Sequence, residues 1–197
     1  MAIRNLFVTR LYEGQIEDSA LLEELAHSIR VLARDDEAGK RWSRDNGYRG
    51  YTSYASLNDL PRRDPAFDDL KKVIARHAAA FSKQLGWDTK PKLDSLWANL
   101  LKHGGHHTAH IHPHSILSGT LYVEAPKGSG VIRFEDPRLP LMMAAPIRGD
   151  DAPEELRTFV SVEPKPGLLL LWESWLRHEV LPGSAKDDRL SISFNFA

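Results

Sequence analysis

Six histidines fall between His103 and His114, four of them in the stretch "HTAHIHPHS" from His107 to Ser115. Imidazoles gathered this closely are the usual nitrogen donors for a transition metal. Side chains at i and i+2 of an extended strand share one face, so His110 and His112 can converge on one ion across Ile111. His112 and His114 can do the same across Pro113. A further ligand must come from elsewhere, and His178, the only histidine in the last third of the chain, follows the apolar strand "GLLLLW". An acid, Glu179 or Asp136, is the other candidate to complete a set with His110 and His178. The chain contains no cysteine, so any metal is held by nitrogen and oxygen.

A second group lies in "RLSISFNF", where Arg189, Ser191 and Ser193 share one strand face and Leu190, Ile192 and Phe194 share the other. A cation followed at i+2 by a hydroxyl suits a carboxylate ligand. If Arg189 points into a small barrel it needs an anion, since a buried unpaired guanidinium costs several kcal/mol. The alternative is a structural ion pair with Glu173 or Asp136. Asn99 and Trp97 lie on the strand before the histidines and could face a bound ligand. Trp97, Tyr122, Trp172 and Trp175 otherwise read as core aromatics.

The elements that must position these groups are legible in outline. Leu21, Leu22, Leu25, Ile29 and Leu32 recur at helical spacing behind Asp18 or Ser19, predicting a helix of about four turns. Asp64 as cap and Pro65 in the first turn open a second helix with the stripe Phe67, Leu70, Ile74, Ala78, Phe81 and Leu85, closed by Gly86. The segment from Asp35 to Arg63 has no clear period and receives no assignment. Beyond Trp87 come short apolar runs broken by Pro and Gly: Leu93 to Leu101, Ser118 to Ala125, Val131 to Phe134, Phe159 to Val162, Gly167 to Trp172 and Leu190 to Phe196. The insertion from Arg138 to Leu156 is a candidate lid.

The fold expected is mainly β with flanking α, a β-sandwich or a jelly roll (double-stranded β-helix) over residues 91–197 buttressed by two N-terminal helices within residues 1–90. At 197 residues the chain is expected to form a single domain, residues 1–197.

With these residues in place, the sequence resembles the iron(II)- and 2-oxoglutarate-dependent oxygenases, whose pattern is His-x-Asp/Glu, a distant His, and Arg-x-Ser. It is most similar to a bacterial and phage group of such oxygenases distantly akin to prolyl hydroxylases. The resemblance rests on "HIHPHSILSGTLYVEAPKGSGVIRFEDPR" from His110 and on "PKPGLLLLWESWLRHEVLPGSAKDDRLSISFNF" from Pro164, roughly the C-terminal half. It implies Fe(II) on His110, His112 and His178, and 2-oxoglutarate held at its far carboxylate by Arg189 with Ser191 assisting and Asn99 nearby. The reaction implied is oxidative decarboxylation to succinate and carbon dioxide coupled to hydroxylation of an unidentified small-molecule or peptide substrate. The chain departs from the family pattern at His112, which stands where a carboxylate is usual. Two other classes remain in view: a cupin-like three-histidine iron oxidase without 2-oxoglutarate, and a non-catalytic jelly-roll binding module.

Charge narrows the partners. Lys and Arg total 26 against 27 Asp and Glu, and neither sign forms a block, so no nucleic-acid partner is expected. The start of the chain lacks the apolar core of a signal peptide and no run reaches membrane-spanning length, which reads as a soluble, cytoplasmic protein with no membrane partner. The oligomeric state is open, a homodimer included.

Overall fold

The computed structural model describes residues 2–197. In chain order the elements are β1 (Leu11–Gln15), α1 (Ser19–Asp35), α2 (Glu37–Asp45), β2 (Gly50–Thr52), α3 (Pro65–Gln84), β3 (Leu93–Leu101), β4 (His107–His110), β5 (Leu117–Glu124), β6 (Ile132–Glu135), β7 (Phe159–Val162), β8 (Leu168–Glu173), β9 (His178–Val180) and β10 (Arg189–Phe196). A six-stranded sheet runs β1-β8-β5-β10-β3-β2 and a four-stranded sheet runs β4-β9-β6-β7. All their pairings are antiparallel. The architecture is a double-stranded β-helix, or jelly roll, with helices on the outer face of its larger sheet.

Alternation along the strands divides the apolar residues into two clusters. Leu96, Ala98 and Leu100 of β3, Leu121 and Val123 of β5, Leu169 and Leu171 of β8, and Leu190, Ile192 and Phe194 of β10 face the helices. They meet Leu21, Leu25 and Ile29 of α1 and Phe67, Leu70, Ile74, Ala78 and Phe81 of α3. The Asp18 carboxylate caps α1 by accepting from the Leu21 N–H, and Asp64 caps α3 by accepting from the Ala66 N–H. The opposite face of the same strands looks into the barrel. There Leu101, Tyr122, Leu168, Leu170 and Trp172 pack with Ile132, Phe134, Leu176 and Val180 of the smaller sheet and its connections.

Two differences from the sequence expectation concern the first 90 residues. They supply three helices rather than two, because α2 occupies part of the segment without a clear period. They also supply β1 and β2, which close the two edges of the larger sheet. Asp36 joins these pieces: its carboxylate accepts from the Gly39 N–H at the start of α2, from the Tyr51 hydroxyl and from Ser56. The insertion from 138 to 156 contains two short 3-10 turns, Leu139–Leu141 and Glu154–Leu156, and leaves Leu141, Met143 and Ile147 largely exposed. Among the described residues, no helix is long and apolar enough to cross a membrane.

Candidate metal centre and barrel interior

β4 and β9 pair so that His110 stands opposite His178. The chain beyond β4 is held to the end of β8 by the His112 N–H donating to the Ser174 carbonyl at 3.0 Å. That bond returns His112 to the same mouth of the barrel. One imidazole nitrogen from each of His110, His112 and His178 then lies within 4.8 Å of the other two. The His112 and His178 Nε2 atoms are 3.3 Å apart, and the His110 and His178 ring centroids 4.5 Å apart.

Carbonyl oxygens only accept, so the carbonyls around the rings fix two tautomers. His110 Nδ1–H donates to the Thr108 carbonyl at 2.7 Å, and His178 Nδ1–H donates to the Leu176 carbonyl at 2.9 Å. Both bonds leave an Nε2 lone pair directed at the shared space, the second-sphere arrangement that orients ligating imidazoles. In the metal-free form the contact between His112 and His178 then needs the proton on the His112 side. Burial, followed by the nearby His110 charge, lowers His112 to about 4. His178, only 4% exposed, is lowered to about 3 by burial, then by His110, with the Leu176 carbonyl bond opposing. These two rings are therefore neutral at physiological pH, the form a metal requires.

The other expected ligands go elsewhere. His114 adopts a left-handed turn, φ 68°, and does not join the group. Glu179 accepts from the Arg133 guanidinium, and Asp136 accepts two bonds from that of Arg138. Of the six clustered histidines only His110 and His112 meet His178.

Deeper in the barrel, Arg189 is 4% exposed and opens β10 on its inward face. One terminal N–H donates to the Gly130 carbonyl at 3.1 Å, and the guanidinium lies 5.5 Å from the Tyr122 ring centre. Its Nε–H has no acceptor, and among the described residues Arg189 forms no ion pair, with Glu173 and Asp136 included. Trp172, whose ring sits 4.7 Å from that of His178, likewise leaves its buried indole N–H without an acceptor.

Ser191 is buried beside Asn99 and Tyr122 in strand register. The Asn99 amide is already engaged: its oxygen accepts from Thr52 at 2.8 Å and its nitrogen donates to Ser193 at 3.1 Å. Ser118, Ser174 and Asn195 form a parallel polar bridge. The inner floor of the larger sheet is thus polar between its apolar ends. Tyr122 and Trp172 are interior, as expected of core aromatics, whereas Trp175 is half exposed.

Two contributors escaped the sequence reading. His107 is lowered to about 3 by burial and then by the Arg189 charge, so it stays neutral, and its Nε2 shares a hydrogen bond with the Tyr48 hydroxyl at 3.0 Å. Burial pushes the Tyr48 hydroxyl well up, which keeps it protonated. Tyr48 comes from the unassigned segment, and nothing in its local pattern marks it as interior.

Comparison with known proteins adds to this geometry. Residues 95–195 match the model of a family described as "Putative 2OG-Fe(II) oxygenase". The chain belongs to this family of 2-oxoglutarate/Fe(II) oxygenases. The matched span, 95–195, runs from β3 to the end of β10 and so contains all three histidines and Arg189. Family membership makes the protein an oxidoreductase whose cofactors are Fe(II) and 2-oxoglutarate. No curated protein matches the sequence.

Solved structures of similar fold include a Pseudomonas putida prolyl-4-hydroxylase, with TM-score 0.66, 20% identity, and 95% of this chain and 92% of that chain covered. The epimerase SnoN of nogalamycin biosynthesis, in complex with Fe3+, α-ketoglutarate and nogalamycin RO, has TM-score 0.65 and 16% identity over 95% of this chain and 78% of that one. The viral collagen prolyl hydroxylase of Paramecium bursaria Chlorella virus-1, in its 2OG complex, has TM-score 0.59 and 14% identity over 94% and 96%. At these identities the likeness is one of fold.

Proposed function

We propose that this oxygenase is a dioxygenase that hydroxylates a small-molecule or peptide substrate, with His110, His112 and His178 as the iron ligands. Arg189 holds the far carboxylate of 2-oxoglutarate, with Ser191 beside it. The observation carrying the proposal is the convergence of three imidazole nitrogens within 4.8 Å in a barrel whose interior also contains Arg189 without an anion.

The residues present fit both groups. Two Nε2 lone pairs are held ready by carbonyls, and the neutral His112 ring needs only to move its proton from Nε2 to Nδ1. Three neutral imidazoles leave the double charge of a ferrous ion intact, which a dianionic cosubstrate would balance. The unaccepted N–H groups of Arg189 and Trp172 are buried donors of the kind a dicarboxylate satisfies, and a buried donor left without a partner costs about 1–3 kcal/mol. When bound, the ferrous ion and 2-oxoglutarate would let dioxygen act as oxidant, one oxygen atom passing into succinate as carbon dioxide leaves and the other to a substrate C–H.

The chain's own task is positioning. Phe134 and Trp172 flank His178, and Trp97 flanks His112 at a centroid distance of 6.1 Å, which fixes the rings and keeps water from their sides. Tyr48 and His107 form a neutral pair beside Arg189, so its positive charge remains available to an anion. In the cupin-like alternative the same three imidazoles would hold iron and Arg189 would bind the substrate itself; the family match over residues 95–195 favours the 2-oxoglutarate reading.

Succinate formation tests the proposal. The iron-loaded protein, supplied with 2-oxoglutarate and dioxygen, should produce succinate slowly even without substrate. His178→Ala should abolish it, and Arg189→Ala should raise the 2-oxoglutarate concentration required. Succinate formation that both variants leave unchanged, or iron-loaded wild-type protein that makes none, would refute the assignment.

A further inference from the structure

The aromatic rings around the three histidines form two branches. On one side Trp172 lies against His178, and its ring leads to Phe134 at 5.3 Å inside the barrel. That branch ends at a benzene ring, which is hard to oxidise, and Trp172 itself is 2% exposed.

The other branch reaches solvent. His112 meets Trp97 at 6.1 Å between ring centroids, Trp97 meets Tyr54 at 5.2 Å and 69°, and Tyr54 meets Trp42 at 6.2 Å and 60°. Trp97 is 6% exposed, whereas Tyr54 is 55% exposed. Packing alone accounts poorly for this line. Trp97 joins neither apolar cluster, and a tyrosine more than half exposed gains little burial. Indole and phenol are the electron-rich side chains best able to give up one electron, and with no cysteine in the chain no thiol competes with them.

We propose that Trp97 and Tyr54 are an oxidative exit, a route by which an oxidising equivalent stranded at the metal without substrate is moved to the surface. The inference rests on the reading of His110, His112 and His178 as iron ligands. One electron passes from Tyr54 through Trp97 and His112 to the metal centre, which is reduced by one electron. The Tyr54 hydroxyl releases its proton to the water around it, leaving a neutral tyrosyl radical. A soluble one-electron reductant of the ascorbate or thiol class then returns one electron and one proton to Tyr54, and a second passage along the same route, drawn from a second reductant molecule, removes the remaining one-electron equivalent. Trp97 serves as the bridge and Tyr54 as the terminus, since of the two Tyr54 is the one exposed to such a reductant and to the water that takes its proton.

The test begins with Fe(II) and 2-oxoglutarate bound anaerobically, verified by the visible metal-to-ligand charge-transfer band. Dioxygen is then admitted without substrate, samples are frozen for electron paramagnetic resonance, and oxidised residues are mapped by peptide mass spectrometry. A tyrosyl signal is expected, with modification at Trp97 and Tyr54. Tyr54→Phe should keep the anaerobic band, lose the signal and inactivate severalfold sooner under oxygen. The same radical in Tyr54→Phe, or modification concentrated at Trp172, would overturn the exit. A band without any radical or modification at Tyr54 and Trp97 also removes the exit while sparing the ligand assignment. Wild-type protein without the band removes both.

Discussion

At the scale of single residues, burial sets the charge state of the imidazoles. His112 is lowered to about 4 and His107 and His178 to about 3, burial being the largest cause in each. Unfolded imidazoles titrate near pH 6.5, so below that pH the unfolded chain takes up protons that these folded rings refuse. The stability they allow is full above about pH 6.5 and is lost as the pH falls toward 3 to 4. The metal-free protein should therefore melt progressively lower across that window, and His178→Asn should flatten the slope. A melting temperature equally steep in the variant would show that His178 is protonated in the fold. The residue scale is also where the sequence was most informative about chemistry. The i, i+2 spacing pairs His110 with His112, although the structure sets His112 in the turn just beyond β4, and His178 follows an apolar run; both signals are local. Tyr48 and His107 meet across 59 residues, and no spacing rule encodes a contact made only by the closed barrel.

At the scale of elements, long strands and amphipathic helices were readable and short elements were not. The predicted runs correspond to β3, β5, β6, β7, β8 and β10: apolar residues of β3, β5, β8 and β10 alternate against the helices, and Ile132 and Phe134 of β6 pack in the barrel interior. β4, "HTAH", and β9, "HEV", carry two of the three proposed metal ligands, His110 and His178, yet are too short and polar to show a period. α2 buries only Gly39 and Ser43, so no apolar stripe announces it, and its start depends on the Asp36 cap. The loops that hold Arg189 rely on close backbone approach. A Cβ on Gly130 would collide with the Leu181 carbonyl oxygen, while the Gly130 carbonyl itself accepts from Arg189. Gly130→Ala should therefore weaken 2-oxoglutarate binding through a displaced Arg189. Phe67→Ala, in the distant core between α3 and the larger sheet, should instead cost about 3–5 kcal/mol of stability and leave that affinity nearly unchanged. Calorimetric titration of 2-oxoglutarate beside denaturant melts of both variants separates the two effects, and a Gly130→Ala protein with wild-type affinity would contradict this account of Arg189.

At the scale of the whole molecule, the larger sheet has two functions on two faces. Its outer face is a structural core shared with α1 and α3, and its inner face carries Arg189, Ser191, Tyr122 and Trp172. The smaller sheet brings His110 and His178 to the barrel mouth, and the turn after β4 adds His112. The central claim is that this mouth binds iron with three imidazoles and that the interior binds 2-oxoglutarate through Arg189. The most direct measurement is an anaerobic titration of 2-oxoglutarate into the Fe(II)-loaded protein, followed by the visible charge-transfer band, with His178→Ala and Arg189→Ala alongside. A stoichiometric band is expected in the wild type, absent in His178→Ala and shifted to higher 2-oxoglutarate concentration in Arg189→Ala. Iron bound without the band, or a band indifferent to both substitutions, would contradict it.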